Sequence, residues 1–156
     1  MRRDFKELNR RRFPLVLLWL GITAAAFGNA GFAVAADPLQ GAWVATKVIS
    51  DGKPAENLVG HRLTFDGGNF QIQSSGGQII FAGTTSIDPS AKPASIDFVN
   101  TQGDAAGATW KGIYVLEGET LSICDNSPNL DAVRPTAFEA ASGSGHALFI
   151  FERAKP

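Results

Sequence analysis

Leu39-Gln40-Gly41-Ala42-Trp43 is the stretch on which the reading of this chain turns. It stands a few residues after a long apolar run ends, and it opens the first strand-like segment with a glycine two places ahead of a tryptophan. Downstream of it, short segments rich in β-formers alternate with glycine, proline and asparagine, and no stretch sustains helical periodicity. The pattern predicts strands over residues 43–50, 61–65, 70–74, 79–87, 95–100, 109–116, 120–124 and 146–153.

The connections set the topology. Asp66-Gly67-Gly68-Asn69, Ser75-Gly76-Gly77 and Glu117-Gly118-Glu119 are tight hairpin turns in which glycine supplies positive φ, whereas residues 88–93 and 103–107 form longer loops. Short loops between successive strands give an up-and-down antiparallel meander, and about eight such strands leave no exposed edge when they close into a barrel. One face is apolar: Leu63 and Phe65, Phe70 and Ile72, Ile96 and Phe98, and Leu121 and Ile123 alternate with polar neighbours. Ile79-Ile80-Phe81 and Leu148-Phe149-Ile150-Phe151 are apolar on both faces, which predicts an outer loop laid over them or a contact patch. Residues 125–145 form the one long irregular stretch, read as a strap across a barrel end with Phe138 turned inward, the alternative being a ligand lid.

Upstream of the opening stretch, MRRDFKELNRRRF carries six of the fourteen Lys and Arg residues and leads into an apolar run ending at Ala33-Val34-Ala35. Residues 1–36 read as a signal peptide, with 37–156 as the single folded domain. Asn9-Arg10-Arg11-Arg12-Phe13 resembles a twin-arginine export motif, an arginine-rich general secretory signal being the other route. Phe13 to Ala36 is also about long enough for a retained anchor, but Asn29 and the Ala- and Gly-rich end suit cleavage better. The expected product is exported, periplasmic or extracellular, with no stable membrane span after cleavage.

Without the leader, eight basic residues face thirteen acidic ones, a net charge of about −5 that argues against nucleic acid as a partner. Cys124 is the single cysteine, so no internal disulfide forms and the residue reads as a small buried hydrophobe. Catalytic and metal chemistry find no constellation. His61 and His146 are the two histidines, and Ser144 near His146 lies in a glycine-rich turn rather than a nucleophile elbow. Asp66, Asp88, Asp97, Asp104 and Asp125 read as turn residues, and Glu117 and Glu119 as solvated charges flanking a hairpin. No catalytic residue, metal ligand or cofactor is assigned.

Gly41 and Trp43 at the start of the first strand, a β-meander and Arg153 near the end of the last strand resemble the lipocalin-like, or calycin, barrels. The resemblance implies a clasp in which Gly41 lets the chain turn closely, Trp43 plugs the barrel end and Arg153 stacks on the indole. Further segments carry it across the folded domain: Asp51-Gly52-Lys53-Pro54-Ala55, Arg62-Leu63-Thr64-Phe65-Asp66-Gly67, Lys111-Gly112-Ile113-Tyr114, Arg134-Pro135-Thr136 and Gly143-Ser144-Gly145. Together they resemble a lipocalin-like domain family abundant in planctomycetes, found in exported proteins and without an established activity. Ala42 and His146 depart from its usual residues.

Two functions fit such a barrel. One is non-enzymatic binding of a small apolar or amphipathic ligand, with Trp110, Tyr114, Phe81 and Phe98 at the mouth and Arg134 as an anion partner. The other is a solid-core barrel serving as an envelope-associated protein-interaction module, its protein partner unassigned. Eleven phenylalanines and short strands predict a small cavity or none.

Overall fold

The computed structural model describes residues 37–155, so the leader read over residues 1–36 lies outside the described residues. Eight antiparallel strands close into a barrel: β1 (Gly41–Ser50), β3 (Arg62–Asp66), β4 (Asn69–Gln73), β5 (Ile79–Asp88), β6 (Ser95–Gln102), β7 (Thr109–Glu117), β8 (Thr120–Asp125) and β9 (Ala147–Arg153). Each pairs with the next, and β1 pairs with β9 to complete the ring. A two-residue β2 (Lys53–Pro54), absent from the sequence reading, folds back on the end of β1 and precedes a 3-10 turn at Glu56–Leu58. Among the described residues no helix is long and apolar enough to cross a membrane.

Period-two alternation places the core. Trp43, Ala45, Leu63, Phe65, Phe70, Ile96, Phe98, Leu121, Ile123 and Phe151 all point inward and are buried. Three irregularities adjust the wall, one of them at Thr101, which is skipped between the Ala82–Gln102 and Gly83–Asn100 pairs. Thr46 is skipped in the β1–β9 register, and Ile80 is skipped between the Ile72–Phe81 and Gln73–Ile79 pairs. Beyond Val44, β1 no longer pairs with β3; the gap is bridged by Ala45 N–H to His61 O at 2.9 Å, Gly60 N–H to Ala45 O at 2.8 Å and Ala55 N–H to Val48 O at 3.0 Å.

One end is shut. Trp43 is fully buried and donates its indole N–H to Leu39 O at 2.9 Å, while the Arg153 guanidinium carbon lies 4.1 Å from the ring centroid. Arg153 also donates to the carbonyls of Gln40 and Pro38 at 3.0 Å each, and its Nε meets Glu119 Oε2 at 2.8 Å. Gly41 has φ +102°, a backbone conformation that glycine adopts without strain. Asp37 Oδ1 accepts from Leu39 N–H at 2.9 Å, holding the fully buried Leu39 side chain in the plug.

The strap differs from its expected position across a barrel end. Residues 126–146 lie on the outer wall. Ile113 and Cys124 point outward from β7 and β8, yet are 1 % and 0 % exposed because the strap covers them. Arg134 fixes it there, donating to Asp97 Oδ1 at 2.6 Å, Asp97 Oδ2 at 3.0 Å and Gly112 O at 2.7 Å. Asp97 faces outward because Ile96 and Phe98, its neighbours on β6, face in. Phe138, expected to turn inward, is half-buried within the strap and does not join the core. An outer segment had been expected over the apolar runs; Leu148 lies beside Cys124 on the covered wall, whereas Ile79 stays 49 % exposed.

Removing the plug should be more damaging than loosening the strap. Trp43→Ala is expected to lose roughly 3–5 kcal/mol of stability and Arg153→Met about 1–2 kcal/mol, both read from urea unfolding. Arg134→Lys keeps the charge but loses the planar fork. It should cost about 1–2 kcal/mol and raise amide exchange across residues 126–146 while leaving exchange in β3 and β4 unchanged.

Candidate functional site

The strand directions gather four connections at the end opposite the plug: residues 51–61, 74–78, 103–108 and 126–146. There the interior is not filled. A cavity of about 320 Å³ penetrates the barrel, walled by apolar side chains from most of the strands. Ala45 and Ala147 are the small residues that leave room for it, and Leu63, Ile72, Phe149 and Phe151 form much of its surface. Phe149 and Phe151 stack at 5.8 Å between centroids. Leu58, from the 3-10 turn that fills the gap between β1 and β3, supplies part of the side wall.

Three of the aromatics named from sequence come together. Trp110, Phe81 and Phe98 all line the cavity, with Phe81 edge-on to Trp110 at 5.1 Å and Phe98 tilted at 6.4 Å. The bulge at Ile80 lets both Ile80 and Phe81 reach the interior although they are adjacent in sequence. Tyr114 does not line the cavity. It packs against the core nearer the plugged end, and its hydroxyl's pKa is raised by burial and by the charges of Asp37 and Asp88. Arg134, expected to face an anion at the mouth, is instead engaged on the outer wall by Asp97. The bidentate carboxylate and the backbone carbonyls hold the guanidinium on the outer face, away from the interior.

The polar lining was missed by the sequence reading. His61 precedes β3 and continues the inward phase of Leu63 and Phe65; burial lowers its pKa and favours the neutral ring. Asp125 continues the inward phase of Leu121 and Ile123, and it is 4 % exposed at the cavity wall. Opposite it in the ladder stands Gly112, where a Cβ would come within 3.1 Å of Asp125 Cβ, so the missing side chain gives the carboxylate its space. Ser127 N–H donates to Asp125 Oδ1 at 2.9 Å. Among the described residues no lysine, arginine or histidine forms a salt bridge with this carboxylate. Burial therefore dominates and raises its pKa to about 6, the hydrogen bonds from Ser127 and the charge of His146 opposing the shift.

Beyond the cavity a shallower depression of about 340 Å³ continues past Phe81, Trp110 and Ser127 to Asp104, Ala105 and Leu130. Cys124 belongs to neither space. Its thiol is buried beneath the strap, donates to Glu139 O at 3.4 Å, and has its pKa raised to about 11, chiefly by burial and secondarily by Asp125. Among the described residues no three His, Cys, Asp or Glu side chains gather as a metal-binding group. The arrangement can enclose a small apolar body and present one carboxylate to it. No family model, curated protein or solved structure matches the chain.

Asp125 makes stability depend on pH. Its carboxyl ionises near 3.8 when unfolded but keeps its proton to about 6 in the fold. Between those values folding takes up a proton, so stability falls as pH rises across the window and stays lower above it. Asp125→Asn, which keeps an acceptor for Ser127 N–H, should therefore match the parent near pH 4 and exceed it by roughly 2–3 kcal/mol near pH 7.5. Urea midpoints measured across that range check this.

Proposed function

We propose that the folded domain is a non-enzymatic binding module that holds one small apolar or amphipathic molecule in the open end of the barrel. The observation that carries this is the cavity of about 320 Å³, lined by Trp110, Phe81 and Phe98 in a barrel whose other end holds the buried Trp43. Its volume lies at the lower limit of small-molecule sites. A void of that size in an apolar core destabilises a protein unless something occupies it, which weighs against the solid-core interaction module as the primary role.

We further propose kinship with the lipocalin-like barrels, supported by the stacking of Arg153 on Trp43 and by the close turn at Gly41. Export through the basic and apolar leader completes the reading. An extracytoplasmic binder of this kind would collect its ligand outside the cell membrane.

Calorimetric titration of the full chain with 1-octanol should give a Kd of about 0.1 mM or tighter, since burying a short alkyl chain offsets the entropy of association. Ala147→Leu fills the space from β9 and is expected to abolish this binding while raising the melting temperature. Octanol that fails to bind the parent, or that binds the filled variant equally well, overturns the proposal. Mass spectrometry of small molecules released on denaturing the natively purified chain would identify a resident ligand.

A further inference from the structure

The chemistry of the cavity wall narrows the ligand class, an inference that rests on the binding role just proposed. We propose that the cavity takes an apolar molecule bearing a single cationic amine, with the Asp125 carboxylate as its anchor. Asp125 is 96 % buried, lines the cavity and has Ser127 as its one hydrogen-bonding neighbour among the described residues. An ionised carboxylate in that position has lost its water and has no salt-bridge partner among the described residues; the charge of His146, whose Nε2 meets Val133 O at 2.9 Å, offsets the burial only in part, so the arrangement persists at a cost unless a guest supplies the charge.

The surroundings exclude the opposite polarity. No lysine or arginine lines the cavity, and His61, which also lines it, favours its neutral form through burial. Arg134 is turned outward and engaged by Asp97 and Gly112 O. The outer depression adds Asp104 and again no basic side chain. A carboxylate-headed amphiphile would therefore meet like charge and find no donor cluster, whereas an ammonium can donate to Asp125 and leave its alkyl body among Leu63, Ile72, Phe149 and Phe151. At about 30 Å³ for each water-sized atom, the volume accepts roughly ten non-hydrogen atoms.

Three probes of one chain length separate this inference from the binding role beneath it: octylamine, 1-octanol and octanoate, titrated calorimetrically into the full chain near pH 7.5. Octylamine is expected to bind about tenfold or more tightly than octanol, and octanoate more weakly than either. Asp125→Asn should bring octylamine to the affinity of octanol, and Ala147→Leu should abolish both. Octylamine binding no tighter than octanol, or octanoate binding best, overturns the amine assignment and leaves the apolar site standing. Failure of all three probes removes both. The ranking of the probes on the parent chain decides the matter even where the asparagine variant does not fold.

Discussion

The pairing of β1 with β9, fastened where Arg153 lies over Trp43, is the constraint from which the rest of the molecule follows. A meander of eight strands has two free edges until its first and last strands meet, and each edge would expose a row of unpaired backbone groups. Closure removes both at once. The guanidinium adds polar fastening to the apolar plug by gripping the carbonyls of Pro38 and Gln40, so the chain preceding β1 is drawn beneath the barrel floor. The void forms in the opposite half, where Ala45 and Ala147 leave room among larger side chains.

Stability and function are thereby segregated along the barrel axis. The plugged end combines a buried indole and a stacked cation, whereas the open end collects the two longest connections and, among the described residues, the one buried acid. A carboxylate sealed into an apolar wall lowers the stability of the empty protein, and groups with such displaced ionisation concentrate where chemistry or recognition happens. The Ser127 N–H steadies one oxygen without neutralising it, which preserves both the orientation and the charge of Asp125.

Much of this architecture is legible in the residues. Hairpin glycines at 67–68, 76–77 and 118 fix the order of neighbours, and alternation from Leu63 to Phe65 and from Leu121 to Ile123 assigns the inward face. The same alternation, carried two positions further, reaches His61 and Asp125; the turn-forming preference of aspartate masked a signal that was present in the phase. The bulge at Ile80 and the register of Gly112 against Asp125 are tertiary facts, since a skipped residue depends on both strands at once. The outward path of the strap was illegible for a related reason: Arg134 and Asp97 are 37 residues apart, and only the closed wall brings them together. Tyr114 shares its inward phase with Trp110, and only the depth along β7 separates the plugged end from the mouth.

The covered position of Cys124 has a consequence for how the molecule can be observed. A thiol pressed between a barrel wall and an overlying chain segment, with its ionisation pushed to about 11, is inert toward oxidants and alkylating reagents for as long as that segment stays seated. The sulfur is thus a natural clock: every modification it acquires records one lifting of residues 126–146, without any label having to be engineered into the protein.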